Sequence, residues 1–340
     1  MNPDVSAIIG AYNRFRDLTQ SVESVLAQTL PVSEVIIVDD GSVDETPEMI
    51  PKIIAENPAW RQRVRYFYQE NQGQCAAGNH AIAKAKGEWL AFNAQDDLWL
   101  PQKLEWQFRA LDKYKGECGL CFTDAWFMNN HRMKLTAFQL AKAPYQAEIG
   151  MVDDLVDFVT SEFPRAWVQT IVVRADLVRQ IGGFDEKLRY HEDQDFMRFR
   201  MAQTTKLCYV NMPMVLIDRA PAQRRHVGEA AREWHKEEFR LENAQYLYEK
   251  HLSLTNGLDP KIKKYLRRSL RQVHSSFANI HLRSGDFDKA RVSVSQAAKY
   301  ELTPNIALKW ALTRIAPWAL RKVQVARHRK SAQMTLDPHE

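Results

Sequence analysis

Val35-Ile36-Ile37-Val38-Asp39-Asp40-Gly41-Ser42 is an apolar, β-branched run that stops at two carboxylates and a glycine. Such a run, without polar alternation, predicts a strand buried on both faces of a parallel sheet. Ligands of open α/β sheets lie beyond the carboxyl ends of strands, so Asp39 and Asp40 stand where recognition takes place. The pattern recurs. Gly87-Glu88-Trp89-Leu90-Ala91-Phe92 predicts a short strand running into Gln95-Asp96-Asp97, before Trp99-Leu100-Pro101 starts a new element. His191-Glu192-Asp193-Gln194-Asp195 opens a further helix. Three acidic groups at three element junctions point to one metal-dependent site.

Outward from that stretch, strands and helices alternate. Val5 to Ile9 reads as a strand ending in the loop Gly10-Ala11-Tyr12-Asn13-Arg14, and Leu18, Val22, Val25 and Leu26 follow at helical spacing until Leu30-Pro31. Asp44 and Thr46-Pro47 start the next helix, with Ile50, Ile53 and Ile54 inward. Val64 to Phe67 is a third strand, Gln69 to Gln74 a polar loop over the site, and Cys75 to Lys86 a returning helix. This alternation predicts the α/β class, with parallel strands joined by crossover helices. Lys103 to Tyr114 reads as a helix with Leu104, Phe108 and Leu111 on one side and its charges on a solvated face. Residues 129–165 lack a clean period, carry a hairpin or loop signal at Asn129-Asn130-His131, and are the expected acceptor-facing region. Ile171 to Val173 is a strand, Asp176 to Gln180 a short helix, and Gly182-Gly183-Phe184-Asp185 a turn needing glycine. The division expected is a site domain over 1–225 and an all-helical region with a basic tail over 226–340. Within the latter, Ala278–His281, Gly285-Asp286 and Ala290–Ala298 suggest a tetratricopeptide-like helical hairpin, one unit being too few for a repeat array.

Composition narrows the classes further. The 340-residue chain has no apolar run approaching the ~18–20 residues a membrane span needs. Its start, Met1-Asn2-Pro3-Asp4, lacks the basic and apolar regions of a signal peptide, so the expected address is cytoplasmic. Cys75, Cys118, Cys121 and Cys208 are too scattered for a disulfide framework. The Cys118–Cys121 pair reads as part of a buried strand rather than a zinc site. Residues 261–340 hold 17 Lys and Arg against 5 Asp and Glu; this +12, within a whole-chain charge of +5, leaves −7 for residues 1–260. An acidic front suits cations and a basic tail suits an anionic surface. Trp310, Ile315, Trp318 and Leu320, beside Arg314, Arg321, Lys322, Arg327, Arg329 and Lys330, suit peripheral contact with an anionic membrane, set against a solvated helix that closes the core. No recognition motif points to nucleic acid.

The ordered motifs Ile9 to Arg14, Val38-Asp39-Asp40-Gly41-Ser42 with Asp44 and Thr46, Gln95 to Pro101, Gly182-Gly183-Phe184-Asp185 and Glu192-Asp193 resemble glycosyltransferase family 2 over about residues 4–220. The resemblance implies a GT-A fold, a Rossmann-like mixed sheet flanked by helices, here with an all-helical C-terminal appendage. It also implies a nucleotide-sugar donor, a Mg²⁺ or Mn²⁺ ion, and transfer with inversion to a glycan or lipid-linked sugar in bacterial surface polysaccharide synthesis. In the roles it carries over, Asp96 holds the metal, Asp193 is the general base and Glu192 positions the site or acceptor. Gly10, Tyr12, Asp40 and Gln95 receive the nucleotide, Tyr12 by stacking or packing beside the base and Asp40 by accepting hydrogen bonds, while Asp39 is the more structural of the pair. His191 and His226 read as surface or packing residues, the alternative being a histidine beyond Pro213 that reaches the diphosphate with Arg224 and Arg225. Two positions depart from the family. Ala94-Gln95-Asp96 stands where Asp-x-Asp is usual, and Ala77-Gly78-Asn79 where Ala-Arg-Asn is common. These losses raise an alternative, a catalytically weakened nucleotide-binding or scaffold protein acting through its basic helical tail. A nucleotidyltransferase would need a glycine-rich basic loop after the first strand, which Gly10-Ala11-Tyr12-Asn13 is not.

Overall fold

In the structure, a computed structural model describing residues 2–114, 116–129, 132–218, 237–254 and 257–336, the Val35 run is a strand with all seven residues buried. This β2 (Glu34–Asp40) lies beside β1 (Val5–Ala11), also buried almost throughout. Helices α1 (Phe15–Leu26), α2 (Thr46–Glu56), α3 (Pro58–Arg63) and α4 (Gln74–Lys84) make the crossovers to β3 (Val64–Gln69) and β4 (Trp89–Ala94). Parallel pairing runs β3-β2-β1-β4, so the first chain movement from β1 goes one way and β4 is added on the other side. That reversal opens a crevice beyond the carboxyl ends of β1 and β4.

The sheet then becomes mixed. After β5 (Leu98–Trp99) and α5 (Lys103–Lys113), the chain forms β6 (Cys118–Asn129) and β7 (Arg132–Thr136), which pair antiparallel, while Asn130 and His131 lie outside the described residues. Next come α6 (Ala137–Leu140), β8 (Ile149–Met151), α7 (Leu155–Thr160), β9 (Ile171–Arg174), α8 (Ala175–Gln180) and β10 (Lys206–Asp218). β9 is antiparallel to both β4 and β6, and β10 is parallel to β6, completing the order β3-β2-β1-β4-β9-β6-β10-β5. All four cysteines are free and buried, with Cys118 and Cys121 both in β6.

Lys103 departs from the solvated face expected of α5. Its side chain is fully buried, with Nζ 3.9 Å from the Trp99 ring centroid and donating to Gln107 Oε1 (3.0 Å) and Ile171 O (3.4 Å). Burial lowers the ammonium pKa from 10.5 to about 7. Between those values the unfolded chain holds a proton that the folded chain does not, so this group makes stability rise with pH. For Lys103→Met, wild-type minus variant stability from urea midpoints is therefore expected to climb between pH 7 and 10; a flat difference would assign the slope elsewhere.

Contacts divide the chain into two compact units, Met1–Gly228 and Glu229–Glu340. The second unit is helical: Glu237–Ser253, Pro260–Ser284, Phe287–Tyr300, Pro304–Ile315 and Pro317–Leu336. The predicted hairpin forms at Gly285-Asp286. Gly285 N–H and Asp286 N–H both donate to His281 O, and the Asp286 carboxylate accepts Lys289 N–H to start the next helix. No helix among the described residues is long and apolar enough to cross a membrane.

Candidate active site

The loop after β1 is the hub of the site. Asn13 and Arg14 both adopt left-handed backbone (φ +54° and +69°), a conformation side chains occupy at some cost and usually under external restraint. Asn13 N–H donates to Ser42 Oγ (2.7 Å), and Asn13 Oδ1 accepts Val43 N–H (2.9 Å), which ties this loop to the end of β2. The Arg14 guanidinium reaches the end of β4, where Nη1 lies 2.6 Å from Asp96 Oδ2. Its Nε is 3.2 Å from Asp17.

Ala94 to Asp97 forms a turn closed by Asp97 N–H to Ala94 O (3.3 Å). The Gln95 amide bonds Tyr12 twice, accepting from its N–H (3.0 Å) and donating to its O (3.2 Å). Gln95 thus stitches β1 to β4 across the crevice. Asp97 is almost fully buried and accepts from Asp218 N–H (2.9 Å) and Gln169 Nε2 (2.8 Å), a structural use of the second carboxylate.

The two carboxylates of β2 divide the work. Asp39 has no exposed surface and accepts Ser42 N–H (2.9 Å) and the Tyr66 hydroxyl (2.5 Å), holding the strand end in shape. Burial, followed by this neighbouring carboxylate, pushes the Tyr66 phenol well above its usual range. Asp40 accepts Gln69 Nε2, Gln72 N–H and Gly73 N–H, each at 2.8 Å, folding the 69–73 loop over the strand. Gly41 makes that approach feasible: at φ +80°, an added Cβ would lie 2.8 Å from Asn71 N.

The third acidic group arrives from far along the chain. Glu192 accepts from Gln74 Nε2 at the first turn of α4, next to the Gly73 that Asp40 holds. Its other oxygen, Oε2, is buried without a hydrogen-bond partner. Burial, then the charge of Asp193, pushes the Glu192 carboxyl up to about 8. His191 just before it is left-handed (φ +69°), and the helix expected there is a π-helix over Gln194–Met201. Its wider turn puts residues five apart in register, which pairs fully buried Asp195 with Arg200 (2.7 Å). Arg200 also donates to Ile181 O (2.9 Å), anchoring the Gly182-Gly183 turn.

Asn79 clamps that turn to α4. Its Oδ1 accepts Phe184 N–H (2.7 Å), and Nδ2 donates to Phe184 O (3.0 Å) and Glu186 (2.8 Å). Gly183, at φ +69°, brings its backbone so close that a Cβ would lie 2.3 Å from Asn79 Oδ1. Gly78 faces the Phe184 ring, where a Cβ would sit at 3.0 Å, and that ring packs on Phe92 and Phe196. An arginine at this position would have to displace the aromatic cluster. Gly78→Arg is accordingly expected to lower the thermal midpoint by several degrees without improving nucleotide affinity, checked by differential scanning and calorimetric titration.

The three acidic groups are thus joined through Asn13–Ser42, Tyr12–Gln95, Arg14–Asp96, Asp40–Gly73 and Gln74–Glu192. Gly10 lies on β1 between β2 and β4, where an added Cβ would meet Ala77 Cβ at an ordinary 3.9 Å, so packing alone does not demand glycine. His226, Arg224 and Arg225 lie outside the described residues. Sequence reading missed Arg14, Gln74 and Asn79 as site-forming groups, because polar residues next to a turn carry no signal of their distant partners.

Compared with known proteins, residues 6–163 match the Glycosyl transferase family 2 family. An uncharacterized glycosyltransferase of Rickettsia typhi is 29% identical over 199 residues, 57% of either chain. One of Nostoc is 42% identical over 101 residues, 30% of each. The succinoglycan biosynthesis protein ExoO of Rhizobium meliloti is 30% identical over 193 residues, 56% of this chain and 53% of that one. The match therefore spans about half, or less, of these relatives. Among solved structures, S. aureus TarS 1-349 in complex with UDP-GlcNAc superposes with TM-score 0.67 at 16% identity, covering 96% of this chain and 92% of that one. Mannosyltransferase PcManGT from Pyrobaculum calidifontis, in complex with GDP-Man and Mn2+, gives 0.52 at 16% identity, covering 100% and 89%. Over residues 6–163 the chain is thus similar in sequence to glycosyltransferase family 2, and its first unit has the fold of the GT-A glycosyltransferases.

Proposed function

We propose that the chain transfers a sugar from a nucleotide-diphosphate donor to a hydroxyl of a glycan or lipid-linked acceptor, with inversion, in bacterial surface polysaccharide assembly. The observation that carries this reading is the convergence of Tyr12, Asp40, Asp96 and the Glu192-Asp193 pair through one hydrogen-bonded loop set at the β1/β4 crevice. The donor nucleotide would enter beside Gly10 and Tyr12, with Asp40 and Gln95 shaping its walls. Gln95 retains one amide N–H beyond its bond to Tyr12 for a ribose hydroxyl.

The donor set suits a cation carried in by its substrate. Among the described residues no group of three His, Cys, Asp or Glu side chains forms a cage, while Asp96 offers one carboxylate at the crevice. Mg²⁺ and Mn²⁺ sites of this kind use one or two carboxylates and take their other ligands from phosphate and water. Such an ion, held by Asp96, would supply Lewis-acid stabilisation of the departing diphosphate. Asp193 would accept the acceptor hydroxyl's proton as its oxygen bonds to the anomeric carbon and the sugar–phosphate bond breaks. Glu192, with its proton retained at neutral pH, would orient the acceptor as a hydrogen-bond donor.

Calorimetric titration with UDP, GDP, dTDP and CMP, each with and without Mn²⁺, tests the reading. Metal-dependent binding of one nucleotide is expected. Absence of binding to any of them would favour the weakened scaffold alternative, whose supporting observation is Ala94 in place of a carboxylate.

A further inference from the structure

The last two helices of the second unit, Pro304–Ile315 and Pro317–Leu336, meet at a bend around Ala316. Their inner side is well packed. Ile306 and Thr313 are buried, and Lys309 Nζ donates to Asn279 Oδ1 (2.6 Å) and Ser275 Oγ (3.2 Å) on the 260–284 helix. Several apolar side chains of the same two helices nevertheless remain exposed. Ile315 is 79% exposed, Trp318 60%, Leu308 59%, Val323 45% and Trp310 42%. One exposed apolar side chain is ordinary, but several around a single bend mark an interaction surface.

The charges around the bend identify what it faces. From Leu302 to Leu336 there are seven Lys and Arg and no Asp or Glu. Arg314 lies 3.7 Å from the Trp310 ring centroid, and Lys322 Nζ 5.5 Å from that of Trp318, so cations and indoles share the surface. Indole rings favour the boundary between lipid headgroups and acyl chains, and clustered cations are drawn to anionic lipid. We propose that this bend docks on an anionic bilayer, with Ile315 and Trp318 entering the headgroup region and Arg314, Lys322 and Arg327 meeting lipid phosphates.

Two other occupants fit less well. A second copy meeting this face through a twofold axis would set an acid-free cationic surface against itself. Nucleic acid would use the cations and rings but leave Leu308 and Ile315 without a role. The proposal does not rest on the transfer reading, since it concerns the second unit alone and is tested without substrate.

Flotation of the full chain with phosphatidylcholine vesicles, and with vesicles containing roughly one third phosphatidylglycerol, is the test. Binding is expected on the anionic vesicles only, weakening as salt rises from about 50 to 300 mM. Ile315→Ser with Trp318→Ser, and separately Lys322→Glu with Arg327→Glu, are each expected to cut partitioning at least about tenfold with the circular dichroism spectrum kept. Should a variant fold poorly, brominated-chain lipid in the same vesicles is expected to quench wild-type tryptophan emission. Equal partitioning on both vesicle types, absence of quenching, or sedimentation as a dimer with vesicles inert would each overturn the proposal, as would displacement from vesicles by trace duplex DNA.

Discussion

Asp193→Asn is expected to lower sugar transfer about 10²–10⁴-fold while leaving nucleotide affinity nearly unchanged. The reasoning begins with its neighbour. Glu192 has one oxygen on Gln74 and the other buried without a partner, and burial followed by the Asp193 charge lifts its carboxyl to about 8. A carboxyl that keeps its proton at neutral pH is no base there, which accords with the proposed assignment of proton acceptance to Asp193. Glu192→Gln imitates the protonated form and is expected to keep turnover within about tenfold of wild type at pH 7. It also has a stability signature. Unfolded Glu192 ionises near 4.5 and the folded residue near 8, so between these values the folded state holds the extra proton and wild-type stability falls as pH rises. The variant lacks that loss. Its urea midpoint should therefore overtake wild type progressively from pH 5 to 8 and remain ahead above it. If Glu192→Gln were the inactive variant and Asp193→Asn the active one, the two roles would be exchanged.

The legible parts of this protein are those whose signal is local. The Val35–Val38 run could hardly be other than a buried strand, and Asp39-Asp40 mark its carboxyl end. The Gly285-Asp286 turn likewise announced its helical hairpin, because glycine's left-handed backbone and an aspartate cap are both written in two adjacent residues. Long-range partnerships left no such mark. Lys103 looked solvated by its charge, and only the arrival of Gln107, Ile171 and Trp99 around it makes its burial tolerable. Asp195 and Arg200 sit on different faces at the α-helical period, and they meet because the segment after Asp193 winds as a π-helix. Nor does the chain of residues 10–14 declare that Arg14 will cross to Asp96, 82 positions away. Fold followed from period and termination; the site depends on contacts between segments that period does not encode.

Asp96→Asn is the second large effect, an expected loss of about 10²-fold or more in Mn²⁺-dependent nucleotide affinity, with turnover falling at least as far. At the end of β4 this carboxylate bonds a side chain alone, whereas Asp97 is committed to Asp218 N–H and Gln169, and position 94 is alanine. Its present partner is Arg14 Nη1 at 2.6 Å. A cation approaching Asp96 meets that guanidinium, so Arg14 opposes the bare ion while holding the carboxylate in place. Arg14→Gln separates these effects. Binding of Mn²⁺ alone, followed by electron paramagnetic resonance, should tighten in Arg14→Gln and vanish in Asp96→Asn, because the first removes a competing charge and the second removes the ligand charge. The calorimetric series with nucleotide then distinguishes holding from delivery. If Asp96→Asn still binds nucleotide with an undiminished Mn²⁺ dependence, the ion is held elsewhere, and the Arg14–Asp96 pair is a structural clasp between β1 and β4 rather than a seat for the donor's charge.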